Sequence, residues 1–278
     1  MANGEGTKRL AVLIDADNAS AKIVAELFEE IAKLGEASVR RIYGDFSNDR
    51  SKSWAAVLTK YAIIPQQQFA YTTGKNASDI TLVIDAMDLL HSGRFSGFCL
   101  VSSDSDFTRL ASRIREEGVD VYGFGEQKTP ESFRQACHRF IYTENLIKLP
   151  VEKADAPGIA KTAEVAETVR QFQSVDKARN LITRAIAEVE GEGGWVNLGA
   201  LGTHLQKLAS DFDARNFGFK KLSDLLRKLP SVELKDTDGA GHFAVRIKPT
   251  GGNAKADQPS GGKTKKAAST ATSAKAKS

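Results

Sequence analysis

The stretch Leu10-Ala11-Val12-Leu13-Ile14, running without a break into Asp15-Ala16-Asp17-Asn18, decides the fold class. Five apolar residues in a row leave no polar face. A parallel strand covered by helices on both sides reads this way, whereas a strand with one wet face alternates. Asp15 then falls at the carboxyl end of a central strand, the edge at which open parallel sheets bind ligands.

Outward from this strand, short apolar runs alternate with helical patterns, the mark of βαβ units. Residues 19–34 carry Ile23, Val24, Leu27, Phe28 and Ile31 on one stripe, with Gly35 placed as a C-cap glycine. Ser38–Gly44 reads as a strand, Trp54–Tyr61 as a short helix, and Ala62–Ile64 as an extended piece stopped by Pro65. Next come a helix over Ala77–His91, a strand over Gly97–Ser102, a helix over Phe107–Glu117 closed by Gly118, and a strand over Val119–Phe124. Pro130 suits the first turn of a last helix. The expected architecture over residues 8–149 is α/β, a mostly parallel sheet with helices on both faces.

Composition shifts to Ala, Glu, Lys and Thr from 150 to 174, which reads as a linker. A second unit over 175–248 shows helical patterns at Ala178–Val189, Leu198–Leu208 and Leu222–Leu229, then strand-like Val232–Leu234 and Phe243–Ile247. Helices followed by a terminal hairpin predict a small winged-helix-like domain. The 278-residue chain has a net charge of +4, yet Gly251–Ser278 holds six Lys against Asp257 alone, so that tail carries +5 and the remainder −1. Apart from Ala the tail lacks apolar residues, so residues 249–278 are expected to be disordered. Such a tail either holds polyanions nonspecifically or serves only as a solubilising end.

The first nine residues lack a signal peptide's apolar run, and no stretch approaches the roughly 18 apolar residues of a membrane span. The two cysteines, Cys99 and Cys137, sit in apolar runs without zinc-ligand spacing. A cytoplasmic protein with reduced, buried thiols and no membrane partner is expected.

A second acidic strand end reinforces the first. Phe98-Cys-Leu-Val-Ser102 runs into Ser103-Asp104-Ser105-Asp106-Phe107. If the two strands are neighbours, three or four carboxylates converge on one edge, which is costly unless a cation fills the site. An all-oxygen donor set suits Mg²⁺ or Mn²⁺. Either Asp loop can instead be a plain helix N-cap. On a helical wheel at about 100° per residue with Asp79 at zero, Ile80, Val83, Ile84, Met87 and Leu90 fall between roughly 20° and 140°. Asp79 thus borders the expected buried face, while Asp85 and Asp88 point elsewhere. The four histidines, His91, His138, His204 and His242, are isolated from acidic or Cys partners in the sequence.

The runs Leu-Ile-Asp15-Ala-Asp17-Asn18, Gly74-Lys-Asn-Ala-Ser-Asp79-Ile and Leu-Val-Ser-Ser-Asp104-Ser-Asp106-Phe107 resemble the NYN-domain family of PIN-like nucleases. The resemblance implies a PIN-like Rossmannoid fold and a metal-dependent ribonuclease, with Asp15, Asp79, Asp104 and Asp106 as metal-coordinating, catalytic acids. Asp17 and Asn18 match the first motif as well, and Asn18 is a candidate nucleic-acid contact. A hard divalent ion there polarises a phosphate and activates water for in-line attack. Lys75, beside Asp79, is a candidate phosphate contact. Gly194-Trp195-Val-Asn-Leu-Gly-Ala-Leu, Phe217-Gly-Phe219-Lys-Lys-Leu-Ser-Asp-Leu-Leu and His242-Phe-Ala-Val look like the LOTUS (OST-HTH) family. That resemblance implies binding of RNA, single-stranded or structured. Lys220, Lys221, Arg227 and Lys228 are the candidate phosphate contacts, and Phe217 and Phe219 either stack bases or fill a small core.

Two other readings stay open, as does DNA in place of RNA. A haloacid-dehalogenase-type phosphatase would use Asp15 as nucleophile and Asp17 as general acid, but it leaves Asp79 unused. An RNA-binding adaptor would hold RNA in the same domain without cutting it.

Overall fold

A computed structural model of the chain describes residues 7–47, 52–68, 77–147, 172–189, 194–237 and 242–248. Lys75, the greater part of the expected linker and the basic tail lie outside these residues.

Six strands form one parallel sheet: β1 (Arg9–Asp15), β2 (Glu36–Gly44), β3 (Ile64–Gln67), β4 (Gly97–Val101), β5 (Asp120–Gly125) and β6 (Arg139–Tyr142), in the order β3-β2-β1-β4-β5-β6. The chain builds outward from β1 to β3, then returns to the other side of β1 with β4. That reversal creates a switch point at the carboxyl ends of β1 and β4.

The quoted stretch sits where its composition requires, because Leu10 to Ile14 are all fully buried. Alternation along β1 sends Leu10, Val12 and Ile14 to one face, where they pack with Val24, Leu27 and Ile31 of α1 (Val24–Ile31) and Trp54 of α2 (Lys52–Tyr61). Ala11 and Leu13 face α3 (Ala77–His91), α4 (Thr108–Glu116) and α5 (Glu131–Ala136), through Leu82, Ala86, Leu110 and Phe133. Each fully buried Leu, Val or Ile contributes about 1.5–3 kcal/mol. Asp15 shares the parity of Ala11 and Leu13, so its carboxyl lies on the α3 side.

Several details differ from the sequence reading. The first helix is preceded by a 3₁₀ turn over Ala21–Ile23, capped by the Ser20 hydroxyl, which accepts from the Lys22 N–H at 3.3 Å. Gly35 is not a left-handed cap. A Cβ there would lie 2.4 Å from the Lys8 carbonyl oxygen, so close approach is what excludes a side chain. Gly118 does close its helix in the left-handed region, at φ +74°. The edge strand β6 follows α5 after only Cys137 and His138, too short a run to show a period of its own. On α3 the buried stripe is Leu82, Ala86, Leu89 and Leu90, with Ile80 and Ile84 exposed. Asp79, three residues before Leu82 and seven before Ala86, therefore begins the buried stripe rather than bordering it. The wheel assumed that every Ile was inside, and these two are not.

The second segment comprises α6 (Val175–Glu188), β7 (Val196–Asn197), α7 (Leu198–Leu208), α8 (Leu222–Arg227), β8 (Val232–Asp236) and β9 (Phe243–Ile247). Its strands form an antiparallel sheet in the order β7-β9-β8. The Asn197 side chain caps α7 by accepting from Gly199 N–H at 2.8 Å and Ala200 N–H at 3.3 Å. Phe217 is buried in the core of this segment, and the partly buried Phe219 packs against it.

This segment docks on the β6 edge, and the residues through Ile247 form one compact unit. Phe140 N–H donates to the Ser210 carbonyl at 2.8 Å, so part of the edge strand is paired rather than exposed. The Ser210 hydroxyl donates to the Arg134 carbonyl at 2.6 Å, and the Arg134 guanidinium pairs with Asp211, which also accepts from the Tyr142 hydroxyl at 2.7 Å. Arg215 lies between Glu30 of α1, at 3.0 Å, and Asp213, at 2.7 Å.

Among the described residues no helix is long and apolar enough to cross a membrane. Both cysteines are buried and free of disulfides, and burial pushes both thiols above their ordinary range.

Candidate metal centre

The pairing of Ile14 with Val101 sets Asp15 beside Ser102 across the β1–β4 ladder. Asp15 is 1% exposed, and four donors converge on it. One carboxylate oxygen accepts from the backbone N–H groups of Asp17 (3.0 Å) and Asn18 (3.3 Å). The other accepts from the Asn18 amide (2.9 Å) and the Ser102 hydroxyl (2.7 Å). Burial raises the Asp15 pKa and the Asp17 charge adds to the rise, while the bonds from Ser102, Asn18 and the Asp17 backbone oppose it. With both oxygens engaged by donors, Asp15 is a poor covalent nucleophile, and its carboxylate is held in one orientation.

Ser102 also accepts from the Asp104 N–H at 3.1 Å, tying the second acidic loop to the first. Asp104 is half-buried and caps the 3₁₀ turn Ser105–Phe107, accepting from the Asp106 N–H at 2.9 Å. Asp104 thus serves as a cap beside the end of β4, and Asp106 is exposed.

Asp79 opens α3 above these strand ends. Burial first, and then the charges of Asp15, Asp104, Asp17 and Asp106, in that order, together push its carboxyl up to about 6. Five carboxylates therefore share one electrostatic neighbourhood. Asp85 stands apart, since it accepts from the Tyr43 hydroxyl and pairs with Arg41. Asp45, just past β2, is tied down by Ser47 and Gln67.

The donors are all hard oxygens, the set that suits Mg²⁺ or Mn²⁺. Among the described residues no group of three or more His, Cys, Asp or Glu side chains is gathered closely enough to hold a metal ion. The donor chemistry thus suits a divalent ion, while the side chains as placed do not close around one.

A family model, the NYN domain, matches residues 9–147, half of the 278-residue chain. The chain belongs to the NYN-domain family. A second model, the OST-HTH/LOTUS domain, matches residues 173–243 of the same NYN protein. Together a nuclease-like domain and an RNA-binding domain support an RNA-related nuclease. No curated protein matches the chain. Among solved structures, a protein of unknown function from Vibrio parahaemolyticus is 18% identical, covers 50% of this chain and 95% of its own, and superposes with a TM-score of 0.42. A fragment from Chromobacterium violaceum is 29% identical, with 28% and 87% coverage and a TM-score of 0.24. An uncharacterised protein from Nitrosomonas europaea is 26% identical, with 38% and 93% coverage and a TM-score of 0.25.

The basic candidates of the NYN protein's LOTUS segment are all exposed: Lys220 and Lys221 ahead of α8, Arg227 and Lys228 at its end. Arg227 also pairs with Asp224 at 3.3 Å and lies over the Phe243 ring at 5.3 Å. A residue not singled out from the sequence is Trp195. Arg246 lies over its ring at 4.4 Å and Lys235 at 6.0 Å, which puts an aromatic plane and two cations together on one face. The pairing of Val196 with Val245 turns the alternate residues, Trp195 and Arg246, to the same side. A β7 strand recognised in the sequence would have exposed this pattern, but two residues are too few to read.

Asp79 yields a pH prediction for the metal-free protein. Its folded value, about 6, lies above its ordinary 3.8, so between these the folded state binds more protons than the unfolded one. This contribution to stability is therefore lost as pH rises through that window. A divalent ion relieves the same repulsion, so thermal melts with Mg²⁺ should show a larger rise at about pH 8 than at about pH 5. An equal shift at both values would place the ion elsewhere.

Proposed function

We propose that this NYN protein is a divalent-metal-dependent ribonuclease whose acidic site lies at the carboxyl edge of residues 8–149 and whose RNA is held by residues 175–248. The observation that carries the reading is the convergence of Asp15, Asp79, Asp104 and Asp106 at the β1–β4 switch point, with the buried Asp15 fixed by Ser102 and Asn18. When bound, Mg²⁺ or Mn²⁺ supplies Lewis-acid polarisation of a phosphodiester and activation of water. Asp15, Asp79, Asp104 and Asp106 would hold the ion, and Ser102 and Asn18 orient Asp15. The buried, unpaired cysteines suit a cytoplasmic setting.

Incubating purified protein with labelled single-stranded RNA, with and without Mg²⁺ or Mn²⁺, tests the reading, and a DNA strand of the same sequence tests the choice of polymer. Cleavage is expected with metal and none in chelator. A second reading, an adaptor that binds without cutting, is favoured because no group of three metal-ligating side chains among the described residues is gathered closely enough to hold an ion. Metal-independent RNA binding with no cleavage would establish it.

RNA binding rests on the Trp195 face and the lysines ahead of α8. Base–aromatic stacking is worth about 1–3 kcal/mol per base, so Trp195→Ala is expected to weaken RNA binding by about 5- to 150-fold in fluorescence polarisation. Lys220→Ala should instead weaken all sequences alike and reduce the salt slope by about one. Unchanged affinity in Trp195→Ala would remove the stacking face from the account.

A further inference from the structure

A cavity of about 580 Å³ lies at the opposite edge of the large sheet from the acids, where the second segment docks. Lys8 just before β1, Asp120 at the start of β5 and Arg139 at the start of β6 line it from one side, with Arg115 at the end of α4. Lys207, near the end of α7, lines it from the other side. With His138 neutral the titratable lining holds four cations, Lys8, Arg115, Arg139 and Lys207, against the single carboxylate of Asp120, a net of +3.

The compensation within that set is uneven. Lys8 is neutralised by Asp120 at 2.9 Å, and Arg139 reaches Glu30 and Asp213 at 3.8 and 3.7 Å. The Arg115 guanidinium donates only to carbonyls, those of Gln135 at 2.9 Å and Ala136 at 3.2 Å. Among the described residues neither Arg115 nor Lys207 has a carboxylate partner. Two cations without a carboxylate partner, a planar guanidinium and an ammonium, thus line the same concave site from its two sides. A phosphate with two ionisable oxygens meets both through charge-assisted bonds. The volume lies in the range of small-molecule sites, and the uncharged amides of Gln135 and Gln206 in the same lining offer donors and acceptors to a base or sugar.

We propose that this cleft binds a phosphate monoester of nucleotide size, its phosphate held between Arg115 and Lys207. The monoester belongs either to a free nucleotide or to the 5′ end of an RNA strand. Because the lining comes from both segments, the bound ligand braces the docked arrangement. The site is independent of the acidic centre and does not rest on the nuclease reading.

Calorimetry on the full chain in EDTA keeps the acidic centre out of the measurement. The probes are 5′-AMP, adenosine, and an RNA tetranucleotide with and without a 5′ phosphate. Saturable binding of 5′-AMP or of the phosphorylated tetranucleotide is expected, and whichever binds identifies the source of the monoester. Removing the phosphate, or introducing Lys207→Glu, should weaken binding about tenfold or more, while Lys60→Glu, the same charge change outside the cavity, should leave it unchanged. Arg115→Gln should weaken it similarly, with the melting curve confirming the fold. The proposal is overturned if neither phosphorylated probe binds, if adenosine binds as well as 5′-AMP, or if Lys60→Glu weakens binding as much as Lys207→Glu.

Discussion

Replacing Arg215 by Ala is expected to lower the melting temperature by ~6–12 °C, the largest effect on stability anticipated for any single exposed-to-buried contact in the molecule. Its guanidinium meets Glu30 at 3.0 and 3.3 Å and Asp213 at 2.7 and 3.0 Å, and both acids hold it firmly protonated. Glu30 is only 5% exposed, so truncating Arg215 leaves its carboxylate buried with fewer partners. Breaking a buried network by removing one member costs about 3–5 kcal/mol, because the remaining charge stays desolvated. Lys33 at 2.7 Å and Arg139 at 3.8 Å still compensate Glu30 in part, which puts the cost near ~3 kcal/mol. The double variant Arg215→Met with Glu30→Leu should recover part of the loss, since the buried Glu30 carboxylate is removed with its partner, while Asp213 keeps only Arg139 at 3.7 Å. A melt of Arg215→Ala within a degree of the parent would show that the docking of the second segment does not depend on this network.

Asp15→Asn is expected to lower the rate of RNA cleavage by about 10²–10⁴, on the basis that several kcal/mol of transition-state stabilisation depend on the anchored ion. The same change should leave the melting temperature of the metal-free protein unaltered or slightly raised. The amide oxygen keeps the two backbone donors, Asp17 N–H and Asn18 N–H, while the amide nitrogen faces the Ser102 hydroxyl and the Asn18 side chain. Both of those partners can turn an acceptor toward the amide, the hydroxyl by rotating and the Asn18 side chain by flipping, which avoids a donor–donor clash at the cost of the acceptor of the Ser102 O–H. The change also removes a charge that burial disfavours. Activity and stability thus move independently, as they should for a site held against its own electrostatics. Ser102→Ala should produce a milder loss of about 10- to 100-fold, since it affects only the orientation of Asp15.

The sequence carried the α/β architecture because its signals are local and strong: an unbroken apolar strand, a helix-closing Gly118, and two strands that each end in Asp. The β1–β4 adjacency that unites those acids was posed as a condition, and the strand order supplies it. Shorter signals were lost. Four residues of β6 and two of β7 have no readable period, and with β7 went the Trp195–Arg246 face. The wheel for α3 failed in detail because hydrophobicity alone does not say which isoleucines are covered. Ile80 and Ile84 are exposed, while the smaller Ala86 is fully buried. Ser102 was visible as the last residue of a strand, but its role needs the register that brings it to Asp15. The docking network was not legible at all, since Arg215 and Glu30 are 185 residues apart and neither lies in a recognisable pattern.

The central claim is that Asp15 and its neighbours hold a divalent ion. Titrating the protein with Mn²⁺ while following the free-ion signal by electron paramagnetic resonance tests it most directly, with the parent chain and Asp15→Asn compared side by side. Saturable uptake by the parent chain is expected, reversed by excess Mg²⁺ and weakened in Asp15→Asn at least about tenfold. Equal uptake by both proteins, or none by the parent chain in the presence of RNA, would contradict it.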